Sequence, residues 1–187
     1  MLKTIRILPR LHVEYIIEKK VHLSDKWALI SIWSEDELLT PDKIEMLNEL
    51  SCKKTLSVKF SDLTKDEYER VIKENKKTVF LFEQQHARAI INFVNEIKDD
   101  VDELIVHCRA GISRSGAVGL FVCRYLQLDE NEFRKINTGI RPNFYILSVL
   151  NEVSEINTNY VEFWENYKKE EIERMRGMMM KNQYQIF

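Results

Sequence analysis

The chain has 187 residues, 44% hydrophobic and 31% charged, with only 5 glycines and 3 prolines, so it has the length of one domain with a substantial core. That balance excludes a disordered or low-complexity chain with long flexible linkers. A formal net charge of -2 gives no electrostatic case for nucleic acid or for an anionic membrane, and no apolar run approaches bilayer-spanning length.

In chain order, residues 4–8 read as a first strand. The opening MLKTIRILPRLHVEYIIEKK lacks the apolar block of a secretory leader, because Arg6 and Arg10 interrupt it. Residues 28–33 and 55–60 read as two further strands, and Ser61-Asp62-Leu63 leaves the carboxyl end of the latter. The charged stretch LTKDEYERVIKENKK follows. Residues 82–97 set Ile90, Phe93, Val94 and Ile97 on one helical stripe. Residues 103–107 form a fourth strand, and 116–127 are apolar nearly all round, as in a helix buried at a domain centre. From Tyr160 the tail carries Val161, Trp164, Ile172, Met175 and Met179 at helical spacing, an amphipathic helix with no visible chemistry. Strands alternating with helices predict an α/β fold: a central, mostly parallel sheet of four to five strands with helices on both faces. Residues 1–153 are expected to form the domain and 154–187 a helical extension packed on it.

The chemistry concentrates where the fourth strand ends. His107 closes the strand, then Cys108 opens the loop Arg109-Ala110-Gly111-Ile112-Ser113, and Arg114-Ser115-Gly116 leads into the apolar helix. In open α/β sheets ligands bind beyond the carboxyl ends of strands, at helix N-termini. Backbone N–H groups of such a loop and first helical turn converge on one point and hold an anion there. Gly111 relaxes the steric limits on so curled a backbone. The same field stabilises a thiolate, since cysteines at helix N-termini have pKa values lowered to roughly 3.5–7.5. Arg114 offers a planar fork to two phosphoryl oxygens, which a lysine would not. Ser115 is placed to donate its hydroxyl to the sulfur, and His107 to brace the loop with some electrostatic support for the thiolate. A cysteine at a strand end is more often a small buried hydrophobe. Typical residue frequencies nonetheless make this whole pattern roughly a one in 10⁵ accident per cysteine, which favours the nucleophile.

The string HCRAGISRSG resembles the Cys-x5-Arg-Ser/Thr signature of the protein tyrosine and dual-specificity phosphatase superfamily. The wider pattern is most similar to the small bacterial predicted protein tyrosine phosphatases: a first strand running into a helix, "FSD" after a later strand, the loop, then a downstream "PN". The resemblance covers most of residues 3–153, though only the loop is specific. It implies a two-step hydrolysis through a phosphocysteine, without metal or cofactor, on a phosphorylated protein or peptide bearing phosphotyrosine, with phosphoserine and phosphothreonine also open. It further implies an aspartate acid from a loop upstream of the cysteine. Asp62 is the candidate and Asp66 the rival, with Thr64 or Asp66 alternatively capping a helix. The segment between Asp62 and Cys108 is longer than the family pattern, as if a charged helix were inserted over the site. Asn143, in Arg141-Pro142-Asn143, matches the family's downstream asparagine near the phosphate loop, or else simply starts a helix. Arg109 either adds positive potential at the mouth or is solvated.

Cys123 reads as core, and Cys52 could reach Cys108 under oxidation as a backdoor cysteine does in some relatives. His86 reads as a helix-surface or packing residue. Histidines 12, 22, 86 and 107 and the three cysteines show no metal-ligand spacing. Free thiols and the lack of a leader point to the cytoplasm. The alternatives are a phosphoinositide or RNA 5′-phosphatase of the same fold, which would want a more basic loop than Ala110 and Ile112 supply, or a phosphate-binding module that has lost its acid.

Overall fold

A computed structural model of the chain describes residues 1–34, 41–74 and 78–155. The chain divides into two compact units, Met1–Glu155 and Ile156–Phe187. The second unit, and with it the tail helix expected from Tyr160, lies outside the described residues.

The first unit runs β1 (Thr4–Pro9), α1 (Arg10–Glu18), β2 (Trp27–Trp33), α2 (Pro41–Glu49), β3 (Cys52–Lys59), α3 (Lys65–Lys73), α4 (Gln84–Ile97), β4 (Glu103–Cys108), α5 (Arg114–Tyr125), α6 (Glu130–Ile136) and α7 (Phe144–Val153). The four strands make one sheet in the order β1-β4-β2-β3, with every neighbouring pair parallel. This is the α/β class with a parallel sheet that the alternation of elements predicts. The two inner strands, WALISIW and ELIVHC, are buried at every position, as strands covered on both faces must be.

Side chains alternate across the sheet, so each strand feeds two cores. Trp27, Leu29, Trp33 and Ile105 pack with Val13, Ile16 and Ile17 of α1 and with Leu47 of α2. The residues between them, including Ala28, Ile30, Leu104 and Val106, are fully buried on the opposite face. There α5 packs on β1, β4 and α7, while α4 packs on β3 and α7. Trp27 brings a polar N–H into the interior, and its Nε1 donates to the Leu50 carbonyl at 2.7 Å.

The outer edge of β1 is finished by one side chain. Asn137, just past α6, accepts from the Ile7 N–H at 2.8 Å and donates to the Ile5 carbonyl at 2.9 Å. Its Nδ2 also donates to the Phe133 carbonyl at 2.9 Å, which ties the amide to its own helix. A single carboxamide thus pairs with the strand edge much as another backbone would.

Several boundaries differ from the sequence reading. β3 begins at Cys52 rather than residue 55, because Lys53 and Lys54 are exposed on an edge strand and break the apolar run. α5 begins at Arg114 rather than residue 116, so the arginine and Ser115 belong to its first turn. α4 begins at Gln84 rather than residue 82; Phe82 is instead buried edge-on to Phe60, with ring centroids 4.7 Å apart. The charged insert does form a helix, α3, with no buried residue and a capping box between Thr64 and Glu67. Helices α2 and α6 were not expected. Their signals were Pro41 in a first turn and Asp129, whose carboxylate accepts from the Asn131 and Glu132 amides. No helix among the described residues is long and apolar enough to cross a membrane.

Candidate active site

The loop after β4 owes its curl to where its carbonyls are tied. The Arg109 carbonyl accepts from the Arg10 N–H, that of Ile112 from Arg141, and that of Ser113 from Asn143, at 3.0 to 3.3 Å. With those carbonyls bonded outward, the intervening N–H groups are left to face inward. Gly111 takes φ +68°, and a Cβ there would lie 2.5 Å from Pro9 N and 2.6 Å from the Leu8 carbonyl carbon. Both the left-handed backbone and the close pass over the end of β1 require glycine.

Cys108 sits at the centre of this cradle, 2% exposed. Its Sγ lies 3.2 Å from the Ser115 hydroxyl. Burial acts to raise the thiol pKa, but the Ser115 hydroxyl, the Ser115 and Ile112 amides and the Arg114 charge outweigh it, so the net displacement is downward. A lowered thiol pKa is what nucleophilic cysteines require. Arg114 is buried, and its Nη1 donates to the Phe60 carbonyl at 3.0 Å. Its Nε is buried with no hydrogen-bond partner. An unpaired buried guanidinium N–H beside a ring of inward amides is the donor set of an anion site.

The segment after β3 reaches the same place. The Phe60 N–H bonds to the Trp33 carbonyl, the Ser61 N–H to the Phe80 carbonyl, and the Ser61 hydroxyl accepts from the Phe80 N–H. Pinned on both sides, residues 60–61 supply the carbonyl that steadies Arg114 and project Asp62 beyond. Asp62 is exposed, and its Oδ1 accepts from the Ser113 hydroxyl at 2.8 Å and from Asn143 Nδ2 at 2.9 Å. Asp66 lies exposed in the first turn of α3 and makes no hydrogen bond to the loop; Thr64 is that helix's cap. Asn143 caps α7 through Oδ1, which accepts from the Ile146 N–H, while its Nδ2 donates to Asp62. Arg109 and Ala110 are exposed at the mouth, and Ile112 is 39% exposed beside them.

Two expectations need correction. Burial pushes the His107 imidazole down to about 4, with the Arg10 and Arg114 charges acting in the same direction and the Cys108 backbone opposing. His107 is therefore neutral near pH 7 and lends no charge to the thiolate; its Nε2 faces Ser31, and its buried Nδ1 has no hydrogen-bond partner among the described residues. Cys52 is no backdoor partner: it lies level with Trp27 and Glu103 in the sheet register, at the opposite end of the strands from Cys108. His86 accepts from the Glu83 N–H at 3.0 Å and stacks on Phe82, a cap and packing residue. Cys123 is fully buried in α5.

Sequence reasoning missed Ser31, whose hydroxyl lies 2.7 Å from His107 Nε2 one strand away. The available signal was a lone polar residue in WALISIW. It also missed the Phe60 carbonyl, which no side-chain pattern reports.

What fold and site define together is an α/β domain with a cysteine-and-arginine anion cradle at the carboxyl end of its sheet. Among solved structures, the chain is similar to Tk-PTP in its active form, with a TM-score of 0.49 and 16% identity over 82% of this chain and 92% of that one. It is also similar to PTPMT1 in complex with PI(5)P (TM-score 0.47, 14% identity, 81% and 90% covered). A third is the core catalytic domain of the PP-IP phosphatase SIW14 from S. cerevisiae (TM-score 0.38, 10% identity, 88% and 86% covered). No family model matches the chain, and no curated protein matches it. At such identities and scores these likenesses do not assign an activity, which has to come from the side chains.

Proposed function

We propose that this chain is a cysteine-dependent phosphomonoesterase of the protein tyrosine and dual-specificity phosphatase kind, acting on phosphotyrosine in a protein or peptide. The carrying observation is the buried, unpartnered Nε of Arg114 set beside a thiol whose pKa is displaced downward. The Cys108 thiolate attacks phosphorus; the S–P bond forms as the ester P–O bond breaks. Arg114 and the loop amides hold the phosphoryl oxygens as charge builds on them. Asp62 gives its proton to the departing oxygen through Oδ2, the oxygen that carries no hydrogen bond among the described residues. Water then attacks the phosphocysteine with Asp62 taking its proton. The S–P bond breaks, inorganic phosphate leaves, and the Ser115 hydroxyl donates to the returning thiolate. The placement of Asp62 against the loop also favours turnover over a phosphate-binding module.

The test is an initial-rate assay against phosphotyrosine, phosphoserine and phosphothreonine peptides, phosphoinositides and nucleotides. Cys108→Ser is expected to abolish turnover while vanadate still binds. Arg114→Lys keeps the charge without the fork and should lower kcat/KM by at least about tenfold. Full activity in Cys108→Ser would overturn the mechanism. A clear preference for phosphoinositides or RNA 5′-triphosphates would replace the substrate class and leave the chemistry standing.

A further inference from the structure

Ser113 occupies the N-cap position of α5, where serine ordinarily turns its hydroxyl onto the amides of the first helical turn. Here it makes no such bond; its backbone sits at φ -95° and ψ -70°, outside the extended geometry that capping uses. The hydroxyl instead donates to Asp62 Oδ1 at 2.8 Å. Of the two amides a capping serine can occupy here, those of Ser115 and Gly116, the first is directed at the Cys108 sulfur. A second tie closes the arrangement: the Asn143 N–H donates to the Ser113 carbonyl, and Asn143 Nδ2 donates to the same carboxylate oxygen. Asp62 is thus joined to the loop directly and through the Asn143 cap of α7.

We infer that Ser113 is a positioning residue for the acid, holding the Asp62 carboxyl over the loop and keeping the first-turn amides of α5 free for the phosphoryl group. The inference rests on the phosphatase reading above. One hydroxyl is turned from the helix to the carboxylate, and both consequences serve the reaction. Because Ser113 and Asn143 occupy Oδ1, the proton to be transferred is left on Oδ2. Asp62 is exposed and would otherwise sample many rotamers, so the fraction of time it spends in transfer geometry is set by these two bonds.

The experiment is steady-state kinetics of the full chain on two substrates, a phosphotyrosine peptide and p-nitrophenyl phosphate, whose leaving group is more acidic. Ser113→Ala should lower kcat on the peptide by about tenfold with little change in KM, and clearly less on the aryl phosphate, as expected of impaired proton donation. Ser113→Thr retains the hydroxyl and should recover most of the loss. In the double variant with Asp62→Asn, Ser113→Ala should add nothing further, because both act through one group. Asn143→Ser keeps a capping side chain on α7 while removing the second donor, and should reproduce the leaving-group dependence. It carries the same comparison if Ser113→Ala does not fold. An equal loss on both substrates, or losses that multiply in the double variant, would overturn the inference and leave the phosphatase reading intact. A wild type that turns over neither substrate would overturn both.

Discussion

Ser115 and Cys108 meet at 3.2 Å in a buried site, and that contact can be read out before any turnover. Among the influences on the thiol, burial raises its pKa, and the Ser115 hydroxyl is the largest of those that lower it. The thiolate is the species that alkylates, so the rate with iodoacetamide should rise through a midpoint below the ordinary cysteine value of about 8.5. Ser115→Ala removes a donor to the charged form, so the midpoint should move up in pH. An unmoved midpoint would mean that the amides and Arg114 alone hold the thiolate. At this scale much of the site was legible, because the residues from His107 to Ser115 lie side by side in the chain. Asp62 was legible only as a residue leaving a strand end. Its two partners, Ser113 and Asn143, lie 51 and 81 residues away in sequence, and nothing local reports them. The neutrality of His107 was hidden for a related reason: its burial comes from other strands, with Trp33 edge-on at 5.5 Å.

Among the elements, the inner strands and the two long helices announced themselves, because burial on both faces or along one stripe writes a regular apolar pattern. The elements that were missed or misjudged are short or lie at an edge. β3 opens with two adjacent exposed lysines after Cys52 and goes on to half-buried Thr55 and Leu56, while α6 has only seven residues and one buried side chain, Phe133. Yet α6 leads into Asn137, which satisfies the buried edge of β1 across more than a hundred residues of sequence. Asn137→Ala would strand the Ile7 N–H and the Ile5 carbonyl, each costing about 1–3 kcal/mol where water cannot reach it. For a chain of this size each kcal/mol is worth roughly 2–4 °C, so the expected fall in Tm is about 5 °C or more. Calorimetry measures it directly, and a fall below about 1 °C would show that another group satisfies the edge. The end of the same strand lies under Gly111, so β1 sets both the sheet edge and the floor of the loop.

On the scale of the whole molecule, the fold keeps the three cysteines apart, and this decides what oxidation can do. Cys52 aligns with Glu103 through Trp27, so it lies about 16 Å along the strands and about 10 Å across two strand spacings from Cys108. Cys123 stands nine residues beyond Arg114 in α5, about 13 Å along the helix. A disulfide needs Cα atoms within about 7 Å, so neither thiol can resolve an oxidised Cys108 within the fold. Burial raises the Cys123 thiol to about 11 and also raises that of Cys52, while the Cys108 thiol is displaced downward, so Cys108 is the most reactive of the three toward peroxide. Stoichiometric peroxide is therefore expected to add one oxygen to Cys108, as a sulfenic acid that added thiol reverses. Further peroxide should carry it to the sulfinic acid, which thiol does not reverse. Intact-mass measurement distinguishes the outcomes: a gain of about 16 Da for the sulfenic acid, against a loss of about 2 Da for an internal disulfide. Cys52→Ala should change neither the rate of inactivation nor the recovery with thiol. A 2 Da loss that disappears in Cys52→Ala would show that the strand ends come together in solution, against the register of the sheet.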